Sequence, residues 1–181
     1  MISTVCPAQI TGPCGQGSTK QAFFQGEAQV IRLVSAFSLQ QAWRGQPQIL
    51  EMFVIPGEIA GYRLVVNEIP YTGPRATADI CLGVIPDATG QPLPRFIPPM
   101  PSPNSFVLAD KLATCRFSFL TPNPDPNLPP IWKETWTRPG WPLAVRLDMV
   151  PLEPDPSRLQ PITLVAPIQI HRSPDIPYGD F

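Results

Sequence analysis

The sequence predicts a mainly β protein, α+β at most. Short runs of alternating apolar and polar residues predict the strands, and prolines crowd into the stretches between those runs. The chain has 27 prolines, about three times the usual share. Because proline is excluded from helix interiors and central strands, these clusters indicate loops around a sheet. Helical patterns are weak, since the best of them, residues 22–29, is short and contains Gly26.

The period-two pattern defines the strand segments in chain order. They are residues 31–39, 49–55, 62–66, 79–85, 113–120, 131–136, 142–150 and 161–171. Residues 49–55 are apolar except for Glu51, which predicts a strand that is covered on both faces.

The last two segments have the clearest alternation. In the first of them, Arg146 and Asp148 are expected to face away from the core. The side chains expected to face the core are Leu143, Val145, Leu147 and Met149. In the second, the apolar stripe consists of Ile162, Leu164, Ala166, Ile168 and Ile170. Pro167 lies on the opposite phase, which predicts an edge strand or a bulge.

The chain is long enough for one domain. Residues 1–20 are predicted to form an irregular N-terminal arm, residues 21–172 a single β-rich globular domain, and residues 173–181 a proline-containing C-terminal tail.

Composition excludes several classes of protein. Hydrophobic residues make up 43% of the chain, which argues against disorder. The net charge is -1 and no basic run is present, whereas nucleic-acid binding needs clustered lysine and arginine. No apolar stretch of about twenty residues, the length that spans a membrane, occurs in this sequence.

No catalytic, cofactor-binding or metal-binding residue is predicted. His171 is the single histidine, and no G-x-S-x-G motif supplies a nucleophile. In GPCGQGSTK the lysine follows Ser18 and Thr19, whereas a phosphate-binding loop places it before them. The cysteines lack zinc spacing. We therefore expect a protein that is not an enzyme and uses no cofactor.

The four cysteines suggest an oxidising compartment. Cys6 and Cys14 bracket a short loop, and Cys81 and Cys115 each lie in a predicted strand. These positions favour the pairs Cys6–Cys14 and Cys81–Cys115, although four cysteines allow three connectivities and reduced cysteines are the alternative.

Two proline-rich loops, residues 96–103 and 123–131, combine apolar with polar residues. Rigid loops with few charges lose little entropy and need little desolvation on docking. The candidate partner-binding residues are Phe96, Ile97, Met100, Leu128 and Ile131. The alternative is that these residues fold back over a sheet edge.

Trp132, Trp136 and Trp141 lie within ten residues of one another. They suggest an alternative function, an extracellular β-sandwich module that binds carbohydrate or acts as an adhesin. A shared place in the core is the other interpretation, since Trp132 and Trp136 have the spacing of one strand face.

Several segments occur in a characteristic order. They are FQG followed by VIRLVSAFSL, then GYRLVVNE, CRFSFL, IWKETW and WPLAVRLDM. In this order, over residues 24–149, the chain resembles the soluble head of J-type minor pseudopilins of type II secretion systems. The long N-terminal pilin helix of that family is absent from this sequence, and the proline content is unusual for it.

The resemblance implies a pilin-like β-rich head with no catalytic activity. It implies a place at the tip of a periplasmic pseudopilus, where the head binds other minor pseudopilins and takes part in protein export. The full-length protein would be anchored in the inner membrane through the N-terminal helix. A structural domain of a phage or capsid is a further alternative.

Overall fold

The computed structural model describes residues 5–6, 8–10, 14, 21–86, 90, 92–138, 140–153 and 160–168. These residues form twelve strands and one short helix, which confirms the predicted mainly β class. The strands are β1 (Gln9–Ile10), β2 (Gln21–Ala22), β3 (Gln25–Glu27), β4 (Val30–Ser38), β5 (Trp43–Pro56), β6 (Tyr62–Pro70), β7 (Cys81–Pro86), β8 (Pro92–Phe96), β9 (Phe106–Thr121), β10 (Ile131–Lys133), β11 (Ala144–Pro151) and β12 (Ile162–Pro167). The helix, α1, spans Arg75–Ala78.

One antiparallel sheet of eight strands forms the body of the protein, in the order β12-β11-β9-β6-β5-β4-β3, with β10 paired to β9 beside this path. Two hairpins, β1–β2 and β7–β8, stand apart from it. Five of the predicted strand segments agree with β4, β5, β6, β9 and β11. In contrast, the segment 131–136 forms a strand only at β10, and the segment 79–85 begins as a strand at Cys81, after α1.

The sheet curls because β9 serves two partners. Its first half pairs with β6 as far as Leu112, and from Leu112 onward it pairs with β11. Lys111, at the junction, has a φ of 53°, which interrupts the extended backbone. The change of partner at this irregular point lets the two halves of the sheet face each other.

Alternation along the strands builds two separate cores. Leu33 and Val34 are adjacent on β4 and belong to different clusters, so the clusters lie on opposite faces of the sheet. The larger cluster, here called the inner core, lies within the curl and contains residues such as Leu64, Phe117 and Val145. The smaller outer core contains Ala8, Ile10, Cys14, Phe23, Val34, Ile49, Cys81 and Phe96. Of the predicted N-terminal arm, three described residues are thus buried in this outer core.

Contacts of Phe24 and Gly26 close the curl. The Phe24 ring packs edge-to-face on Phe119 of β9, with 5.8 Å between ring centroids. Gly26 bridges Trp136 through the backbone and lies so close to β9 that a Cβ would stand 2.7 Å from Phe119 Cζ. Only glycine allows this approach, because a distance under 3 Å is a steric overlap.

Two expectations about the late strands need correction. Leu143 was expected to face the core but is 44% exposed, because it lies before β11 begins. The last segment forms the edge strand β12, as Pro167 predicted. Its apolar stripe is not buried throughout, since Ile162 and Leu164 are about half exposed, whereas Ile168 is buried. Residues 169–171 lie outside the described residues.

Candidate partner-binding site

The outer face of the sheet holds three polar side chains in a row. Arg32 on β4 pairs in register with Glu51 on β5, which pairs with Asn67 on β6. Directly paired residues project on the same face, so the strand register alone brings these side chains together. All three are buried, and Arg32 is fully closed to solvent.

Hydrogen bonds satisfy the polar atoms of these three side chains. Arg32 donates from Nε to Glu51 Oε1 at 2.7 Å and from Nη1 to Gln25 Oε1 at 2.6 Å. Asn67 donates from Nδ2 to Glu51 Oε2 at 2.8 Å. Burial lowers the pKa of the Arg32 guanidinium, and the charge of Glu51 opposes that shift. One cation and one anion thus neutralise each other inside the protein, as buried charges require.

The same network holds residues 97–105, here called the proline loop. Arg32 Nη2 donates to the carbonyl of Ile97 at 3.0 Å, and Asn67 Nδ2 donates to the carbonyl of Met100 at 3.0 Å. The hydroxyl of Ser105 donates to Asn67 Oδ1. Backbone atoms of the loop therefore face the sheet, whereas Ile97 and Met100 keep 41% and 74% of their surface exposed.

A groove of about 460 Å³ runs beside the proline loop. Its size falls within the range that ligand sites occupy. The groove is lined by the polar row, by Glu68, Ile69, Pro70 and Ile80, and by the loop residues Ile97, Pro98, Pro99, Met100, Ser102 and Asn104. The carboxylate of Glu68 accepts hydrogen bonds from Ser38 and Leu39. Apart from this carboxylate and the neutralised pair, the groove is mostly apolar, which suits a protein segment more than a charged ligand.

Phe96 was predicted as a partner-binding residue, and this prediction is wrong. Phe96 is 7% exposed and belongs to the outer core. Its ring packs edge-to-face on Phe23, with 5.7 Å between centroids, and the Arg32 guanidinium lies 5.7 Å from its centroid. It is buried because β8, which ends at Phe96, lies over the outer face of the sheet.

Leu128 and Ile131 are exposed, as predicted, but they do not line the groove. Leu128 lies on the loop between β9 and β10, Ile131 is the first residue of β10, and side chains within the loop hold it together. Asp125 Oδ1 accepts hydrogen bonds from the backbone and side-chain nitrogens of Asn127, and Asn123 Nδ2 donates to the carbonyl of Pro129 at 3.2 Å. The structure therefore separates the predicted residues into two surfaces.

The predicted disulfide pairing is also wrong. Cys14 is bonded to Cys81, with 5.9 Å between the Cα atoms, and Cys6 and Cys115 are free. Cys81 lies in the outer core and Cys115 in the inner core, so the sheet itself separates these two residues. Burial raises the pKa of the Cys115 thiol to about 11 and also raises that of Cys6.

The three tryptophans do not form one exposed platform. Trp136 and Trp141 pack against the inner core, and Trp136 Nε1 donates to the carbonyl of Gly140 at 3.2 Å. Trp132 lies apart from them, with the guanidinium of Arg146 5.0 Å from its ring centroid. Trp136 thus lies against the core, as the core interpretation expected, but Trp132 does not share that place with it.

Within the described residues, no group of three or more His, Cys, Asp or Glu side chains is placed to hold a metal ion. In that same part of the chain, no helix is long and apolar enough to cross a membrane. His171 lies outside the described residues.

Arg32, Glu51 and Asn67 were not among the predicted site residues. For Arg32 and Glu51 the signal is present in the sequence, because both are isolated charges in otherwise apolar strands. Opposite charges in two successive strands indicate a cross-strand pair when a hairpin joins those strands. Asn67 carries no comparable signal.

The fold and the site define a mainly β protein that presents a firmly held, partly apolar loop. Neither a protein-family profile nor a curated protein matches the chain. Among solved structures, the crystal structure of the GspK-GspI-GspJ complex from the type 2 secretion system of enterotoxigenic Escherichia coli contains a similar chain. The two are 13% identical, the match covers 94% of this chain and 90% of that chain, and the TM-score is 0.44.

Proposed function

We propose that this chain is the head of a non-catalytic minor pseudopilin that takes part in protein export at the tip of a type II secretion pseudopilus. The observation that carries the proposal is the proline loop. Its carbonyls are bound by buried Arg32 and Asn67, while Ile97 and Met100 are exposed. A loop that is already fixed loses little entropy on docking, and exposed apolar side chains gain free energy when a partner covers them.

The resemblance seen in the sequence supports the same proposal. The segments that carry it contribute to β3 and β4, to β6, to β9, to β10 and to β11. These strands belong to one curled sheet. The resemblance therefore follows the framework of the fold and does not rest on surface loops.

In this proposal the partners are other minor pseudopilins. The head lies in the periplasm, and the full-length protein is anchored in the inner membrane. The surface around Leu128 and Ile131 is a second candidate contact, since both side chains are exposed, one on a loop with internal hydrogen bonds and the other at the start of β10.

The proposal is tested by mixing the chain with the soluble heads of co-encoded minor pseudopilins and measuring complexes by size-exclusion chromatography with light scattering. We expect a complex with at least one head. The double variant Ile97→Asp with Met100→Asp should bind that head more weakly, with a Kd at least about tenfold higher. The Tm of the double variant should equal that of the wild type, because both side chains are exposed.

Ile59→Asp is the matched control, since Ile59 is fully exposed on the connection between β5 and β6. It should change the Kd less than about twofold. A complex that tolerates the double variant would show that the proline loop is not the contact. Absence of a complex with every head, together with binding to an oligosaccharide array, would support the extracellular binding module instead.

A further inference from the structure

In the described part of the chain, apart from β10, which is three residues long and contains Lys133, the curled sheet has free edges at three places. β12 and β3 end the strand order, and residues 106–110 of β9 pair with β6 alone. A free edge presents unpaired backbone N–H and C=O groups, which form a template for another strand. Natural proteins protect such edges with charges, bulges, short strands or covering segments.

Two of the three edges carry this protection. β3 is three residues long, includes Glu27, and is covered where Gly26 bridges Trp136. The free side of β9 ends at Asp110 and Lys111, two charged residues, and the positive φ of Lys111 interrupts the extended backbone. Neither edge offers a regular uncharged strand to a partner.

β12 has prolines at its two ends, Pro161 and Pro167, but the residues between them have no such protection. Its six residues, ITLVAP, contain no charge, and its register with β11 runs without a bulge. Ile162, Leu164 and Val165 are 48%, 54% and 55% exposed. Leu164 pairs with Leu147 on the face of the inner core, while Val165 pairs with Arg146 on the other face. The edge is therefore apolar on both faces.

We infer that the outer edge of β12 receives an extended, uncharged strand of the partner head, so that the heads join by strand addition; this inference rests on the proposed function. Backbone groups in register specify a strand as the occupant. Arg146 and Asp148 beside the edge are paired with each other at 2.9 Å. A charged residue in the added strand would thus be desolvated without compensation. Pro161 and Pro167 lack N–H groups and limit the pairing to residues 162–166.

Single substitutions on each face of β12 test this inference in the complex described above. Leu164→Lys and Val165→Lys each place a charge beside the added strand and should weaken the Kd at least about tenfold. Both positions are exposed, so circular dichroism should report an unchanged Tm. Ile59→Lys, the control on an exposed loop, should change the Kd less than about twofold.

Hydrogen exchange gives an independent measurement on the backbone. The amides of residues 162–166 that face away from β11 should exchange at least about tenfold more slowly in the complex than in the free head. A complex that forms with wild-type affinity in both lysine variants, without added protection at residues 162–166, would overturn the strand addition and leave the proposed function standing.

Two other outcomes also contradict the inference. A free monomer in which the same amides are already protected would mean that the edge is occupied within the chain. A dimer of this chain that Leu164→Lys abolishes would identify a second copy as the occupant. If the wild-type chain binds no partner head, the proposed function itself is contradicted. This outcome is distinguishable from loss of strand addition, because the wild type and all variants then fail to form a complex.

Discussion

Arg32 and Glu51 face each other across neighbouring strands, with 2.6 Å between Arg32 Nη2 and Glu51 Oε1 and with both side chains closed to solvent. Removing two charges from water costs several kcal/mol for each, and their attraction and hydrogen bonds offset that cost. The pair therefore adds little net stability while it is intact. Its effect is to connect the sheet to the proline loop, because Arg32 also binds the carbonyl of Ile97.

The first prediction concerns this pair. Arg32→Met leaves the carboxylate of Glu51 buried without a cation and should lower the free energy of unfolding by about 3–5 kcal/mol. Arg32→Met with Glu51→Leu removes both charges and should recover most of that loss. Urea denaturation monitored by circular dichroism measures both values.

The double variant also separates stability from loop order. Without Arg32, the carbonyl of Ile97 loses its donor, so the amides of residues 100–105 should exchange faster even though the sheet is stable. If the double variant were as unstable as Arg32→Met alone, the two charges would not form an isolated pair, and this interpretation of the site would be wrong.

Much of the sheet could be predicted because alternation is a local property of the sequence. β4, β5, β6, β9 and β11 each contain enough residues for a period of two to be visible. The edge position of β12 was also predictable. Pro167 has no backbone N–H to donate to a neighbouring strand, and proline is therefore found in edge strands. Alternation alone does not determine what covers a face. For this reason Ile162 and Leu164 have the pattern of core residues and are exposed.

The site was predictable only in part, because it depends on contacts between distant segments. Ile97 and Met100 are exposed as the proline-rich composition suggested, but Phe96, next to them, is buried because it belongs to the β7–β8 hairpin and packs in the outer core. The cysteine pairing depends on which face of the sheet each strand segment covers. Spacing favoured Cys81–Cys115, whereas the fold places these residues in different cores.

The second prediction compares Val145, near the start of β11, with Leu143, just before that strand. Val145 is 1% exposed and Leu143 is 44% exposed. Val145→Asp buries an unpaired charge in the inner core and should cost about 3 kcal/mol or more. Leu143→Asp places the same group at the surface and should cost less than about 1 kcal/mol. Equal losses of Tm in the two variants would mean that the orientation of β11 is wrong.

The third prediction concerns the close approach of Gly26 to β9. Gly26→Ala would place a Cβ 2.7 Å from Phe119 Cζ and 2.9 Å from Trp136 Cβ. The overlap should cost about 1–3 kcal/mol. Because leucine lacks the Cζ atom, adding Phe119→Leu should relieve part of the strain, so the loss in the double variant should be smaller than the sum of the single losses. Strictly additive losses, measured by urea denaturation, would contradict this contact.

The fourth prediction is the redox state of the cysteines. Without reductant, the denatured protein should bind alkylating reagent at two thiols, Cys6 and Cys115, and peptide mapping should link Cys14 to Cys81. In the native protein at pH 8, Cys6 should react first. Cys115 is 2% exposed, and its pKa of about 11 leaves little thiolate. A peptide that links Cys6 to Cys14 would contradict the structure.

The raised pKa of Cys115 also predicts how stability depends on pH. This thiol is neutral when protonated, and in the unfolded chain it loses its proton near a pH of about 8.5. The folded protein retains that proton up to about pH 11. Deprotonation therefore favours the unfolded state in this window, and the free energy of unfolding should fall as the pH rises from 8.5 to 11. Cys115→Ala should lower stability at pH 8 but make it less dependent on pH, as urea denaturation at pH 8 and pH 10 would measure. An equal decline in both proteins would mean that Cys115 is not the group responsible.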